Sequence, residues 1–210
     1  LSGIPGRAKD RTSLTPIVVA GGACVCNAEP IADFVDITLP GDGEEVTNEL
    51  IDLLKEYKAK GATKQEFLVA ASQIKGVYVP SLYEVEYNED GTIKEMKPLH
   101  GAPERVTKRI IKELDKVEYP ESFVVPFLEV VHDRTTVEIF RGCIRGCRFC
   151  QAGFLNRPLR RKSPEVVEEQ CRAICNSTGY DEISLCSLST SDYKGLEKLI
   201  TNMLPWTVDE

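Results

Sequence analysis

The sequence predicts an α/β protein, and two observations support that prediction. Short β-branched apolar runs alternate with segments whose apolar residues recur at helical spacing, which is the pattern of strands joined by helices. In the last third of the chain the same alternation begins again around a group of closely spaced cysteines. We therefore expect two α/β regions, residues 1–75 and 135–210, joined by a connector over residues 76–134.

The composition is that of an ordinary soluble chain. Of the 210 residues, 42% are hydrophobic and 28% are charged, and the formal net charge of −7 argues against a generally basic nucleic-acid-binding protein. No apolar run approaches the ~18 residues of a membrane span, and the first residues lack the layout of a signal peptide. We expect a cytoplasmic protein with no membrane partner, and the missing initiator methionine indicates a fragment.

The first region is predicted to run strand, short helical turn, strand, long helix. The strands are expected at residues 16–20 and 35–39, with the turn at residues 27–34 between them. The long helix is indicated by an apolar stripe and a glycine stop signal, formed by Val46, Leu50, Leu53, Leu54, Tyr57 and Gly61. A second helix is expected over residues 64–73.

The connector is predicted to hold a hairpin and a helix. Residues 83–87 and 92–96 alternate on either side of the Asp90-Gly91 pair, which predicts a β-hairpin. The amphipathic segment 103–114 is the expected helix.

The last region is predicted to run β-α-β-α, like the start of a barrel or an open sheet. A strand at residues 136–140 leads into the cysteine loop. The following helix is expected to begin at Ser163 and Pro164, which suit the N-cap and the first helical position, and to end at Gly179. The next strand and helix are expected at residues 182–188 and 194–203.

Three of the eight cysteines stand close together as Cys143-x3-Cys147-x2-Cys150. Thiolate is the usual ligand of iron–sulfur clusters, so three thiolates on one loop can hold three corners of a cubane and leave one iron open. Zinc would require a fourth ligand nearby, and neither His100 nor His132 has such a spacing. The pattern favours a cluster, with a zinc site and a merely structural set of thiols as alternatives.

The string Cys143-Ile-Arg-Gly-Cys147-Arg-Phe149-Cys150 resembles the cluster signature of the radical S-adenosylmethionine (SAM) superfamily. The wider chain resembles one bacterial group of uncharacterised radical SAM proteins that carry a cobalamin-binding-like front domain. The segments that carry this likeness are Gly21-Gly22, Cys24 to Pro30, Gly41 to Glu45, Arg141 to Phe154, Arg157 to Arg160 and Ser187 to Asp192.

The resemblance implies both a fold and a chemistry. The fold would be a partial Rossmann-like, cobalamin-binding-like domain followed by the first β/α units of a partial TIM barrel. The three cysteines would hold a [4Fe-4S] cluster whose open iron chelates SAM, and one electron would cleave SAM to methionine and a 5′-deoxyadenosyl radical. The implied partner is a small electron donor such as flavodoxin or ferredoxin, cobalamin is a further candidate cofactor, and the substrate is not identified.

The resemblance also implies three SAM contacts. Phe149 would lie against the adenine, with ordinary packing as its alternative role. Ser187 and Ser189 stand where the family meets the SAM amino group, although the glycine-glycine-glutamate form common in the superfamily is absent here. Their alternative role is that of turn and N-cap serines. No catalytic residue is assigned.

Basic residues are concentrated around the cysteine loop. Residues 141–162 hold seven of them and no acidic residue, namely Arg141, Arg145, Arg148, Arg157, Arg160, Arg161 and Lys162. They could offset the charge of a cluster, receive a phosphate-bearing substrate such as RNA, or form a solvated rim. The absence of interleaved aromatic residues weakens the RNA interpretation.

Three functional hypotheses follow. The first is a radical SAM enzyme. The second is a metal-binding or electron-transfer module in which Cys171 or Cys186 closes the coordination, although both are expected, like Cys175, to be packing residues. The third is a cobalamin-like binding module whose cysteine loop is only structural, and Cys24 and Cys26 are expected to be structural at a strand end.

Overall fold

The chain forms two compact units, each of which mixes helices with short strands. The structure is a computed structural model that describes residues 3–128 and 130–207. The units span Leu1–Ile111 and Lys112–Glu210. The described residues form four two-stranded sheets together with five α-helices, which is the composition of an α/β chain, as expected.

A parallel pair of strands organises the first unit. β1 (Val19–Gly21) lies beside β2 (Ile37–Leu39), with Val19 opposite Ile37. The connection between them contains two 3₁₀ turns, Ala23–Asn27 and Glu29–Ile31, where the sequence predicts one helical turn. All three residues of β2 are buried, so β2 is the centre of this unit.

Both predicted helices of the first unit are present. α1 (Glu44–Ala59) begins with glutamates, whose charge suits the positive end of the helix dipole. α2 (Lys64–Ala71) begins with a capping box, in which Thr63 and Glu66 each accept a hydrogen bond from the other's backbone N–H. The helices and β2 share a core formed by Leu14, Ile37, Leu39, Val46, Leu50, Phe67, Leu68, Ala71, Val77, Val79, Leu82 and Ala102.

The predicted hairpin is confirmed. β3 (Tyr83–Tyr87) pairs antiparallel with β4 (Ile93–Pro98), and the register shifts between Glu86 and Tyr87. Asn88 N donates to the Thr92 carbonyl at 2.8 Å and closes the turn.

The predicted connector helix is wrong. Residues 103–114 form no α-helix, and the nearest helical turn is the short 3₁₀ segment Leu114–Lys116. The backbone of Arg109 is bonded elsewhere, because its N–H donates to the Pro40 carbonyl at 2.9 Å and its carbonyl accepts from Asp42 N at 3.0 Å. These backbone groups are therefore bonded to the residues that follow β2 and not within a helix of their own.

The second unit has the predicted β-α-β-α order. β5 (Thr135–Glu138) lies parallel to β8 (Ile183–Cys186), and α4 (Pro164–Thr178) lies between them in the chain. α5 (Leu196–Met203) follows β8.

The ends of α4 lie where the sequence predicts them. Ser163 Oγ accepts from Val166 N, and Pro164 occupies the first helical position. Gly179 ends the helix at a φ of +77°, a left-handed conformation that favours glycine.

The strand predicted before the cysteine loop divides at Ile139. Ile139 N donates to the carbonyl of Cys186, whereas the Ile139 carbonyl accepts from Lys162 N, so the pairing partner changes here. Beyond it, β6 (Phe140–Arg141) pairs antiparallel with β7 (Arg160–Arg161). Strands of two residues carry no readable periodicity, which is why the sequence does not predict them.

The core of the second unit lies between α4, α5 and the β5–β8 pair. Its buried members are Val137, Ile139, Phe140, Val167, Cys171, Ile174, Tyr193 and Leu199. The packing role predicted for Cys171 is therefore confirmed. In the part of the chain that the structure describes, no helix has the length and apolar character to cross a membrane.

Candidate functional site

The cysteine loop is an excursion that the β6–β7 pair closes at its base. Gly142, the first residue after β6, has a φ of +92°, which favours glycine. A Cβ on Gly142 would lie 2.9 Å from the carbonyl oxygens of both Asn156 and Pro158. The returning chain therefore packs directly against Gly142, which keeps the two ends of the loop together.

All three candidate ligands lie on this loop as free thiols. Cys143 and Cys150 are half-buried, and Cys147 is exposed. Cys150 N donates to the Cys147 carbonyl at 3.1 Å, and Cys150 is the residue before α3 (Gln151–Leu155). Arg145 N donates to Cys143 Sγ at 3.4 Å. The loop is thus a short, locally bonded carrier of three sulfur atoms.

The second predicted element of the site is the turn after β8. Ser187 Oγ lies 2.9 Å from Thr190 Oγ1, and Ser189 Oγ donates to Asp192 Oδ2 at 2.6 Å. Ser189 precedes the 3₁₀ turn Thr190–Asp192, but its hydroxyl makes no capping bond to that turn. The hydroxyls of both predicted serines are therefore committed to side-chain partners and not to the backbone.

An ion pair brings these two elements together. Arg145 Nε donates to Asp192 Oδ2 at 2.7 Å, and a second guanidinium nitrogen donates to Asp192 Oδ1 at 2.6 Å. The structure thus places Ser189 and the cysteine loop on either side of one carboxylate. The sequence does not identify Asp192 as a site residue, and the only signal is that it ends the Ser187–Asp192 segment.

The ion pair shifts the pKa values of both partners in the direction that stabilises their charged forms. The hydrogen bond from Ser189 and then that from Arg145 lower the pKa of the Asp192 carboxyl. The hydrogen bond and the charge of Asp192 raise the pKa of Arg145. Both groups are therefore charged at neutral pH.

Phe149 lies open to solvent beside the third cysteine. The residue is 93% exposed and takes no part in the core of the second unit. Such exposure disagrees with the packing alternative. Its contact with an adenine ring stays a prediction.

The three cysteines of the loop are chemically suited to bind an iron–sulfur cluster. Three thiols within one loop are the soft ligands that iron–sulfur clusters take. Across residues 3–128 and 130–207, however, no three His, Cys, Asp or Glu side chains are gathered as a metal-binding group. Cluster binding would thus require the three sulfur atoms of the loop to turn toward one point.

The remaining cysteines of the second unit differ in access. Cys171 is fully buried in the core, and burial raises the pKa of its thiol to about 12. Cys175 is half-buried on the same helix, and burial raises its pKa too. Cys186 is exposed at the carboxyl end of β8. Of the two cysteines considered as a fourth ligand, only Cys186 is accessible.

Several of the basic residues near the loop already have partners. Arg141 pairs with Glu138 at 2.9 Å, and Arg145 pairs with Asp192. Lys162 is buried, with its Nζ 4.2 Å from the centroid of the Tyr119 ring. The excess of positive charge is consequently smaller than the sequence indicates, and the case for an RNA substrate is weaker.

The front-domain motif at Gly41 is covered by the chain itself. Gly41 has a φ of +103°, and a Cβ there would lie 2.1 Å from the Arg109 carbonyl oxygen. The Arg109 guanidinium pairs with Glu45 and Glu49 at the start of α1. The backbone and side chain of Arg109 therefore cover Gly41 at the carboxyl end of β2.

Comparison with known proteins gives one match, to a protein family. Residues 1–80 match the family described as Radical SAM proteins, N-terminal. The match supports a radical SAM protein, and it lies wholly in front of the cysteine loop. No curated protein matches the chain, and no solved structure does.

Proposed function

We propose that this chain provides the cluster loop of a radical SAM enzyme, in which Cys143, Cys147 and Cys150 hold a [4Fe-4S] cluster. The observation that carries the proposal is the loop itself. Three free thiols lie on an excursion closed at its base, and an ion pair joins that excursion to a hydroxyl-bearing turn. The family match over residues 1–80 supports the same class.

When bound, such a cluster supplies the one-electron reduction that breaks a carbon–sulfur bond of SAM. The chain's share is binding, orientation and exclusion of water. Three cysteine ligands would leave one iron to which the amino and carboxylate groups of SAM could bind. Ser187 and Ser189 would accept hydrogen bonds from the SAM ammonium group, and Phe149 would cover the adenine.

The proposed fold is a partial TIM barrel of which β5, α4, β8 and α5 are the first β/α units. Barrel enzymes bind their substrates at the carboxyl ends of the strands. The turn after β8 has that position, and the cysteine loop follows β5 and β6. The first unit, with β1 and β2 parallel, is proposed to be Rossmann-like.

The proposed setting is the cytoplasm, with a small electron donor such as flavodoxin or ferredoxin as the partner. The donor would have to approach the second unit near the loop, where Cys147 and Phe149 are exposed. We propose no substrate.

A second candidate is an electron-transfer module in which Cys186 provides a fourth ligand. The observation in its favour is the exposure of Cys186 at the end of β8, directly before Ser187. With four protein ligands, no iron would be left for SAM.

Anaerobic reconstitution of the full chain distinguishes the two candidates. We expect the EPR signal of the reduced cluster to change when SAM is added, and 5′-deoxyadenosine to appear in the reaction mixture. An unchanged spectrum without 5′-deoxyadenosine would overturn the enzyme proposal and favour the electron-transfer module.

A further inference from the structure

A single carboxylate connects the cysteine loop with the turn after β8. Asp192 receives two hydrogen bonds from the Arg145 guanidinium and one from the Ser189 hydroxyl. Arg145 in turn donates its backbone N–H to Cys143 Sγ. Arg145 and Asp192 therefore link a candidate ligand sulfur to a candidate SAM-binding hydroxyl, with one hydrogen bond from the Arg145 backbone and two from its side chain.

The two partners are not equally fixed. The Asp192 side chain is 14% exposed and the Arg145 side chain 58% exposed. Asp192 is held by its own turn, since its backbone N–H donates to the Ser189 carbonyl at 2.9 Å. Arg145 belongs to the loop, so the better-held partner of the pair is the one outside the loop.

The geometry of the contact restricts orientation as well as distance. Two parallel N–H···O bonds between a guanidinium and a carboxylate fix the plane of both groups. A lysine could supply the charge but not the second bond. Arginine is therefore suited to hold a loop in one orientation.

We propose that Arg145 and Asp192 are positioning residues that hold the cysteine loop in register with the Ser187–Ser189 turn. This inference rests on the proposed function and adds a role for two residues that neither bind the cluster nor contact SAM. The loop would carry the iron that takes one end of SAM, and the turn would bind the same end. Misplacement of one by about 1 Å would weaken binding to both.

Four variants of the full chain test the proposal. Asp192→Asn removes the charge but keeps the size of the side chain, and Arg145→Lys keeps the charge but removes the paired bonds. The exchange Arg145→Asp with Asp192→Arg restores an ion pair in reverse. Glu165→Gln is the matched control, because it likewise neutralises a carboxylate of an ion pair, here the exposed pair with Lys198 in the same unit.

The first measurement is hydrogen exchange on the metal-free chain. We expect Asp192→Asn and Arg145→Lys to speed exchange about threefold or more in residues 143–150, because the loop loses its anchor. The exchanged pair should slow it again, and Glu165→Gln should have no effect there. Unchanged exchange in both single variants would overturn the proposal.

The second measurement is SAM binding to the reconstituted chain, followed by EPR. We expect all variants to keep their iron, because the three cysteines are intact. The Kd for SAM should rise about tenfold in Asp192→Asn and recover in the exchanged pair. Wild-type affinity in both single variants, or loss of iron in step with affinity, would overturn the positioning role.

The two measurements separate this inference from the proposed function. If the wild-type cluster bound no SAM, the proposed function and the positioning role would both fall. If the wild type cleaved SAM and the single variants did so with wild-type affinity, only the positioning role would fall.

Discussion

The two units each contain a parallel pair of strands, and they use the carboxyl ends of those strands differently. In the first unit, the end of β2 is bonded to the backbone of Arg109, so that Gly41 has no space beside it. In the second unit, the end of β8 leads into two serine hydroxyls and the Asp192 carboxylate, and the carboxylate contacts the cysteine loop through Arg145. The end of β2 is covered by the chain itself, whereas the end of β8 leads into side-chain oxygen atoms.

This difference shows that a position at the carboxyl ends of parallel strands is not sufficient to form a binding site. The carboxyl ends of parallel strands are where α/β proteins bind ligands. In the first unit, the end of β2 meets that condition but is occupied by the backbone of Arg109. The second unit combines the position with side chains whose chemistry suits a ligand, so the functional proposal rests there.

The largest expected effect is loss of the cluster. Cys147→Ala should reduce the iron of the reconstituted chain from about four atoms to nearly none, because one of three ligands is removed. Cys186→Ala, at the end of β8, should retain it. Iron analysis and visible absorption measure both variants.

Two other results for these variants would contradict the proposed set of three ligands. Full iron content in Cys147→Ala would contradict the ligand assignment. Iron loss in Cys186→Ala equal to that in Cys147→Ala would favour the module with four protein ligands.

The rate of thiol alkylation should distinguish an exposed cysteine of the cysteine loop from a buried cysteine of the core. At pH 8 a thiol with a pKa of about 12 is ionised only to ~10⁻⁴, so the buried Cys171 should react with iodoacetamide at least ~10³-fold more slowly than the exposed Cys147. Peptide mass spectrometry of the metal-free chain at timed intervals gives both rates. Comparable rates would mean that the core of the second unit does not shield the Cys171 thiol.

The covered end of β2 can be tested at Gly41. Gly41→Ala combines an unfavourable φ with a Cβ 2.1 Å from the Arg109 carbonyl oxygen, whereas Gly22→Ala combines a φ of +94° with open space. Both changes cost backbone strain of ~1–3 kcal/mol. Gly41→Ala should cost a further ~1–3 kcal/mol from overpacking. Urea unfolding followed by circular dichroism measures the difference, and equal losses would mean that Arg109 does not cover the end of β2.

The sequence predicts those elements whose signals are local. Ser163, Pro164 and Gly179 define the ends of α4 by capping chemistry, and the Asp90-Gly91 turn defines the hairpin. Capping and turn preferences act over a few residues, so they can be read without the rest of the fold.

The elements that the sequence does not predict depend on distant partners. Residues 103–114 have an amphipathic pattern, but the bonds of Arg109 to Pro40 and Asp42 override it. The pairing of Arg145 with Asp192 joins positions 47 residues apart. No spacing rule connects such positions, so the cysteine motif was readable and its anchor was not.

The smallest expected effect is a pH dependence at the cysteine loop. The pKa of Asp192 is lowered by its hydrogen bonds to Ser189 and Arg145. The stabilisation that charged Asp192 gives to the loop is therefore complete above the unfolded pKa of ~3.9, and it is lost as the pH falls through the lower folded pKa. Exchange in residues 143–150, corrected for intrinsic rates, should be constant from pH 7 to pH 5 and should rise only below about pH 4. Asp192→Asn should exchange faster than the wild type above about pH 4 and should lack that rise. The same acid response in Asp192→Asn as in the wild type would assign the response to another group and remove Asp192 as the titrating anchor.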